Sequence, residues 1–170
     1  MSESRRTMPR WMVPCVWTVG LLVLYVIAPW LLSRLGVRRG WNGNVPGAWN
    51  MLGLVVTGAA FAVLLWCVSL HFARYQSRVP LQTAPQVLLQ RGPYRVSRNP
   101  LYIADSLIVL GWAIFYGSAA VLVGCLVFAS VLAFVVVPSE ERQLTDRFGN
   151  DYLRYKATIP RWLGKRRTAM

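Results

Sequence analysis

The sequence has few acidic residues and very little histidine or cysteine. Asp and Glu account for 6 of its 170 residues, against 19 Lys and Arg, which gives a formal net charge of +13 at pH 7. The single histidine, His71, has no partner histidine nearby, and the three cysteines lie inside apolar runs without metal-type spacing. Such a set forms neither a disulfide framework nor a zinc site. We therefore predict no metal and interpret the cysteines as small buried apolar side chains.

Long polar stretches are also scarce. Apolar residues make up 55% of the chain, and the mean hydropathy is +0.41. The basic residues stand almost wholly between the apolar runs, as membrane topology requires, and no nucleic-acid-binding motif accompanies them. This distribution argues against nucleic acid as a partner and favours the bilayer, with its anionic lipid head groups.

The apolar runs predict an integral membrane protein. About 20 apolar residues suffice to cross a bilayer, and the first run is too long for a signal peptide and has no cleavage site after it. We predict an all-α fold, a single domain over residues 1–170, with about four transmembrane helices. The last two form a helical hairpin with Gly117 and Ser118 at its turn, and a cytosolic amphipathic helix follows. The predicted spans are residues 11–32, 48–70, 101–116 and 119–137.

Two helix faces can be predicted from residue spacing. Small residues in the second span are expected to form a close-packing stripe. Apolar residues at helical spacing in residues 139–155 are expected to form the buried face of the amphipathic helix. The stripe comprises Gly53, Thr57, Gly58 and Ala62, and the apolar face comprises Leu144, Phe148, Tyr152 and Tyr155.

The charge distribution predicts the orientation. With four spans, both termini and residues 71–100 lie on one side of the membrane, which then holds sixteen of the 19 basic residues. The positive-inside rule makes that side cytoplasmic. We expect a multi-pass protein of the bacterial plasma (inner) membrane, with residues 71–100 and 139–170 forming a cytosolic cofactor site.

The central polar segment, RGPYRVSRNPLY at residues 91–102, holds three arginines, two tyrosines and no acidic residue. One interpretation is that Arg91, Arg95 and Arg98 only anchor the chain at the lipid head groups. The other is that the irregular backbone lines a cavity. There, an arginine can clamp a ligand carboxylate, and a tyrosine can cover a cationic group.

The carboxylates allow the same two kinds of interpretation. Glu140 and Glu141 directly follow the last span, where acidic side chains favour a helix N-terminus. Alternatively, they bind a cationic ligand group such as an ammonium or sulfonium. Asp105 lies one turn into the third span, where a carboxylate is functional by default until a partner is named. The other interpretation is that Asp105 only pairs with Arg98 or Arg95 near the membrane surface.

GPYRVSRNPLY, followed by an apolar hairpin and then PSEERQLTDRFGNDYLRYKATIPRW, resembles the isoprenylcysteine carboxyl methyltransferase and phospholipid methyltransferase superfamily. The resemblance covers residues 90–162. The family pattern is Arg-His-Pro-x-Tyr before the hairpin and Glu-Glu after it. Arg98, Pro100 and Tyr102 match the first part, and Glu140 and Glu141 match the second. Asn99 replaces the histidine, so a proton-transfer role at that position is in doubt, while hydrogen bonding survives.

The resemblance implies an integral membrane methyltransferase that uses S-adenosyl-L-methionine. The carboxylates would meet the cofactor's ammonium group, and an arginine would meet its carboxylate. The acceptor would be a lipid or another lipophilic molecule that enters from the bilayer and is methylated on a carboxylate, amine or thiol. The implied catalytic residues are Arg98, Asn99 and Tyr102; the implied cofactor-binding residues are Tyr94, Arg95, Asn99, Pro100, Tyr102, Glu140 and Glu141.

Two alternatives remain open from the sequence. One is an NADPH-dependent membrane reductase of the same broad fold, although the phosphates of that cofactor favour arginine over a carboxylate pair. The other is a non-catalytic membrane scaffold that binds no cofactor.

Overall fold

The computed structural model describes residues 19–73 and 88–164, and this part of the chain is mainly helical. The start of the first predicted span, residues 11–18, lies outside the described residues, as do Pro80, Pro85 and the basic tail at residues 165–170. Helix α1 is Val19–Leu35, α2 is Met51–Phe72, α3 is Pro100–Tyr116, α4 is Ala119–Phe148 and α5 is Asn150–Thr158. Two short antiparallel strands, β1 (Trp41–Asn42) and β2 (Val45–Pro46), connect α1 to α2.

Two helices are long and apolar enough to cross a membrane by length and composition. Residues Ala48–His71 have a hydropathy of 2.3 and residues Ala119–Phe148 a hydropathy of 3.0. The other two apolar helices, α1 and α3, are shorter. At about 1.5 Å per residue, the 17 residues of α3 extend roughly 25 Å. The fold is therefore consistent with the predicted all-α membrane protein, and the described residues include two candidate membrane-spanning helices and two shorter apolar helices.

Helices α2 and α3 pack closely because small residues line their contact. A Cβ atom on Gly53 would lie 2.3 Å from the backbone oxygen of Gly111, and one on Gly111 would lie 2.2 Å from Oγ1 of Thr57. The buried face of α2 continues from Gly53 through Ala60, Leu64 and Cys67. The predicted stripe is right for Gly53 and Thr57. It is wrong for Gly58 and Ala62, which are exposed on another face of the helix.

Each of α1 and α4 contains a π-helical turn that ends two residues before a proline. The turn at Val23–Ile27 precedes Pro29, and the turn at Leu132–Val136 precedes Pro138. A proline inside a helix lacks an amide hydrogen and clashes with the preceding turn, and a wider turn relieves both problems. The helix that contains the last predicted span therefore does not end at residue 137, since α4 continues through Pro138 to Phe148.

The predicted amphipathic helix over residues 139–155 is divided at Gly149. This residue has φ +50° and ψ −123°, a conformation that favours glycine, and it separates α4 from α5. Its first half continues the last apolar helix, which sequence periodicity alone did not reveal. The predicted apolar face is nevertheless retained. Tyr152 and Tyr155 are buried, with Leu144 and Phe148 packed against them.

The end of the bundle that carries the hairpin turn is closed by backbone contacts. Gly117 has φ +57° and accepts a hydrogen bond from the amide of Arg39 at 3.1 Å. Ser118 caps α4, as the hairpin prediction required. The buried side chain of Asn50 donates to the carbonyl oxygens of Ile114 and Phe115 at the end of α3. These contacts fix α3 and α4, so that the opposite end of the hairpin can present a defined site.

Candidate functional site

The predicted polar segment forms an irregular connection into α3. Gly92–Arg95 is a single 3-10 turn, and Pro100 begins the helix at a position where a missing amide hydrogen costs little. Tyr94 and Asn99 are buried in this segment, and the arginines alternate with them. The backbone therefore leaves regular structure at the bundle end opposite the hairpin turn.

The two halves of the resemblance motif meet through Tyr102 and Glu140. The Tyr102 hydroxyl donates a hydrogen bond of 2.5 Å to Oε1 of Glu140. Tyr102 lies in the first turn of α3, and Glu140 follows Pro138 in α4. Because the helices are antiparallel arms of one hairpin, the residues before its first arm and after its second meet at the same end.

Glu141 is enclosed by two arginines. Its side chain is 6% exposed and lies 3.0 Å from Nη1 of Arg98, whose own side chain is 8% exposed. Arg161 donates to both carboxylate oxygens, at 3.1 Å through Nε and 2.5 Å through Nη2. The hydrogen bond to Glu141 also raises the pKa of Arg161. Both negative oxygens of Glu141 are thus already neutralised within the chain.

The segment after α5 is held against the polar motif. The Asn99 side chain donates to the carbonyl oxygen of Arg161 at 2.9 Å, and the Ser97 hydroxyl donates to the same oxygen at 3.1 Å. The Arg98 amide donates to the carbonyl oxygen of Pro160 at 3.0 Å. Asn99 therefore serves here as a hydrogen-bond donor that positions backbone.

Tyr94 packs against Cys67 of α2 and Leu89, with Leu101 of α3 beside this cluster. Its ring meets the edge of His71 at 5.8 Å, and its carbonyl oxygen accepts a 2.7 Å hydrogen bond from the Tyr155 hydroxyl. Burial raises the pKa of both Tyr94 and Tyr155 above the ordinary value for a phenol. Tyr155 therefore remains a proton donor at neutral pH and joins α5 to the motif. Arg95 is exposed.

Asp105 does not pair with an arginine, and that prediction is wrong. Its carboxylate accepts a hydrogen bond from the hydroxyl of Tyr25 in α1. Arg98 pairs with Glu141 instead. Both residues lie at the end of the bundle opposite the hairpin turn, whereas Asp105 lies further along α3.

One donor of Arg98 is unused. Its Nε is buried and has no hydrogen-bond partner among the residues described. Leaving a buried donor unpaired costs roughly 1–3 kcal/mol. An unpaired guanidinium donor next to the Glu141 ion pair is an observation expected of a site that receives an anionic group from a ligand.

Sequence reasoning missed Arg161, Tyr152 and Tyr25. Arg161 lies in the sequence IPRW, at the end of the segment that resembles the family, and this position could have indicated a role for it. Tyr152 lies 3.5 Å from Nη1 of Arg98 and was predicted only as part of an apolar face. Tyr25 gave no distinct signal, since a tyrosine in an apolar run is ordinary.

A cavity of about 400 Å³ lies between the start of the second described range and α5. Leu88 and Gln90 line one side of it, and Phe148, Asp151 and Tyr155 contribute to the other. None of the site residues predicted from the sequence lines this cavity.

Comparison with known proteins identifies one family. The family model for phospholipid methyltransferase matches residues 48–151, more than half of the chain. A protein of Haemophilus influenzae described as uncharacterized is 33% identical over 63 residues, which cover 37% of this chain and 100% of that relative. No solved structure matches. The family match begins at α2 and includes the polar motif, the hairpin and both glutamates.

Proposed function

The chain belongs to the phospholipid methyltransferase family, and from that premise we propose that it transfers a methyl group from S-adenosylmethionine to the polar end of a lipophilic acceptor. The observation that carries this proposal is the 2.5 Å hydrogen bond between Tyr102 and Glu140. It joins the two family motifs at one end of an apolar hairpin, where a polar cofactor and a lipid-soluble acceptor can meet.

The residues present fit the cofactor's amino-acid part. Glu140 is half-buried and is bound by a neutral hydroxyl, so its charge is available to an ammonium group. Arg98 offers the orphaned Nε to a carboxylate. A charge-assisted hydrogen bond of this kind is worth about 1.5–3 kcal/mol. The proposed ligands for the two ends of an amino acid thus come from adjoining segments: Arg98 directly precedes α3, and Glu140 is held by Tyr102 in the first turn of α3.

The two glutamates differ in their proposed roles. Glu140 is the proposed ammonium ligand. Glu141, already neutralised by Arg98 and Arg161, is the proposed positioning residue that fixes the Arg98 guanidinium. The expectation that both carboxylates contact the cofactor thus stays a prediction for Glu140, and the ion pairs favour a different part for Glu141.

In this proposal, the main task of the protein is to position the cofactor and the acceptor. When bound, the cofactor supplies an electrophilic methyl group on its sulfonium, and attack on it is an in-line displacement. Holding acceptor and donor in line lowers the barrier without any acid or base from Asn99. Asn99 instead keeps the Arg161 segment closed over the motif. Tyr94, Arg95, Pro100 and Tyr102 stay proposed cofactor-site residues, with Tyr102 orienting Glu140.

The proposed orientation places this site on the cytoplasmic side of the bacterial inner membrane. The support is the positive-inside rule applied to the sixteen basic residues at this end and in the termini. The same proposal makes the protein multi-pass, with both termini cytoplasmic and with the acceptor entering laterally from the bilayer.

Calorimetry on the purified full chain in detergent tests the proposal. S-adenosylhomocysteine and NADPH are titrated side by side into the same preparation. Binding of S-adenosylhomocysteine without NADPH is expected. Binding of NADPH alone would replace methyl transfer with reduction, and binding of neither by folded protein would leave a scaffold.

A further inference from the structure

Three arginines lie at the bundle end that carries the hairpin turn, opposite the Tyr102–Glu140 contact. Arg34 is in the last turn of α1, and Arg38 and Arg39 follow it before β1. They are the three basic residues that remain when the predicted four-span orientation places sixteen of the 19 on the cytoplasmic side. The positive-inside rule disfavours basic residues at this end, so membrane orientation does not explain them.

No carboxylate of the described residues lies close to these arginines. The sequence has no Asp or Glu at positions 19–104, and none between Asp105 and Glu140. Asp105 precedes Tyr116 by eleven residues in α3, roughly 16 Å along the helix axis at 1.5 Å per residue, and its carboxylate is bound by Tyr25. Glu140 and the carboxylates after it lie at the opposite end of the bundle. The positive charge at the hairpin-turn end therefore has no counter-charge within the described part of the chain.

Arg38 is fixed in position without being neutralised. Its guanidinium carbon lies 5.0 Å from the centre of the Trp41 ring and 5.1 Å from that of Tyr116. Its Nη2 donates a 2.7 Å hydrogen bond to Oγ of the buried Ser33. Aromatic rings and a neutral hydroxyl orient a guanidinium but leave its charge in place. Of the five N–H donors of this group, Ser33 accepts from one, and the side chain is partly exposed, so an external anion can use the others.

The rings beside Arg38 are themselves held by the helical hairpin. Trp41 donates through Nε1 to the carbonyl oxygen of Phe115 at 2.9 Å, and its ring stacks on Tyr116 with the centres 6.0 Å apart. Tyr116 is the buried last residue of α3. The charges of Arg34 and Arg38 both act on its hydroxyl. The two guanidiniums therefore belong to one ordered cluster, built from α1, the connection to β1 and the end of α3.

The surroundings of the cluster are those of a lipid boundary. The guanidinium carbon of Arg34 lies 4.9 Å from the centre of the Trp30 ring. Leu35 and Val37, which stand between the two arginines in the sequence, are 74% and 79% exposed. Tryptophan and tyrosine are enriched at the level of lipid head groups, and exposed apolar side chains beside cations are typical of segments that enter the head-group and acyl boundary. Since α3 extends roughly 25 Å, less than the hydrocarbon core of about 30 Å, this end is drawn toward that boundary.

We propose that Arg38 and Arg34 bind the phosphate of an anionic phospholipid in the leaflet at the hairpin-turn end, which is the periplasmic leaflet in the proposed orientation. Arginine binds phosphate oxygens through paired N–H donors. Because Arg38 is already ordered, little side-chain entropy is lost on binding. The acyl chains pack on Leu35 and Val37, which a free phosphate could not use.

Charge selects the kind of head group. An anionic head group supplies the counter-charge that the cluster lacks. A zwitterionic head group also brings an ammonium group, for which no carboxylate is present among the described residues at this end. The site lies at the opposite end of the bundle from the proposed methyl-transfer site and does not depend on it.

Native mass spectrometry of the full-length protein in a neutral detergent tests the site, with the dissociation constant of the first bound ligand as the readout. Dioctanoyl phosphatidylglycerol is anionic, dioctanoyl phosphatidylcholine has the same chains and a phosphate without net charge, and glycerol 3-phosphate has the phosphate without chains. The variants are Arg38→Gln and Ser33→Ala, of which the second keeps every charge. The matched control is Arg39→Gln, which loses the same charge from an exposed side chain.

The wild type is expected to bind phosphatidylglycerol about tenfold more tightly than either other ligand. Arg38→Gln should weaken phosphatidylglycerol binding by about tenfold or more, as loss of a charged hydrogen bond implies. Ser33→Ala should weaken it by about threefold, because the guanidinium loses a neutral hydrogen bond that orients it. Arg39→Gln should stay within twofold of the wild type.

Three results would overturn the proposal. Equal losses in Arg38→Gln and Arg39→Gln would leave only general surface charge, and unchanged binding in both Arg38→Gln and Ser33→Ala would place the lipid elsewhere. Binding of phosphatidylcholine or glycerol 3-phosphate as tight as that of phosphatidylglycerol would remove the anionic lipid as the ligand. Ser33→Ala decides the question even if Arg38→Gln does not fold, because it changes the orientation of Arg38 without changing the net charge.

Discussion

The Tyr102 hydroxyl donates a 2.5 Å hydrogen bond to Glu140, 38 residues further along the chain. Between the two residues lie most of α3, the hairpin turn and the apolar part of α4. The adjacent residue, Glu141, turns the other way and is neutralised by Arg98 and Arg161. The two consecutive carboxylates therefore lie in different environments. Glu140 is available to a ligand, whereas Glu141 forms ion pairs within the chain.

The first prediction separates the two glutamates by stability. Glu141→Gln leaves the nearly buried Arg98 guanidinium without a full counter-charge, and breaking a buried pair in this way costs about 3–5 kcal/mol. Glu140→Gln removes a half-buried charge whose described partner is a neutral hydroxyl, so it should cost less than about 1 kcal/mol. Thermal unfolding in detergent, followed by tryptophan fluorescence, compares the two. Equal unfolding midpoints would contradict the division of roles.

The second prediction concerns the contact between α2 and α3. Gly53→Ala places a Cβ atom 2.3 Å from the Gly111 backbone oxygen, and this atom cannot move without shifting a helix. Overpacking of this kind costs about 1–3 kcal/mol. Gly58→Ala, five residues along the same helix, meets nothing within 4 Å and is the matched control. The unfolding midpoint should fall for Gly53→Ala alone; parallel behaviour of the two variants would show that the helices do not pack as described.

Much of this arrangement could be predicted because its signals are local. Gly117 and Ser118 marked the hairpin turn through their conformational and capping preferences, and apolar run lengths marked the helices. The continuation of α4 through Pro138 gave no such local signal, because it depends on the π-helical turn that precedes the proline.

The site residues were less predictable because their partners are distant in the sequence. Glu141 meets Arg161 across 20 residues, and Tyr25 meets Asp105 across 80. The sequence shows which carboxylates and arginines are present. Which of them form pairs depends on how the helices are arranged at that end of the bundle. The pairing of Asp105 was wrong for that reason.

The third prediction is topological. Asn42 and Arg91 are both exposed and lie at opposite ends of the bundle in the four-span arrangement. In a variant lacking Cys15, a cysteine at position 42 should react with a membrane-impermeant maleimide from outside intact cells. A cysteine at position 91 should react only after the membrane is opened. Reaction of both positions from the same side would rule out the proposed orientation.

The fourth prediction concerns the acceptor's chain. If the acceptor reaches the site through the bilayer, each methylene contributes about 0.8 kcal/mol to binding. Shortening an acceptor from twelve to eight carbons should then weaken its apparent affinity by about two orders of magnitude, or roughly 3 kcal/mol. A labelled methyl transfer assay across the chain-length series measures this dependence. A flat series would point to a water-soluble acceptor and leave methyl transfer itself intact.

The most direct test of the account is calorimetric titration of S-adenosylhomocysteine into the wild type, Glu140→Gln and Asp146→Asn. Asp146→Asn removes an exposed carboxylate from the same helix and controls for net charge. If Glu140 binds the cofactor's ammonium group, Glu140→Gln should weaken binding by about ten- to a hundredfold, while Asp146→Asn matches the wild type. Unchanged affinity in Glu140→Gln would contradict the assignment and return Glu140 to the role of a charge at a helix turn.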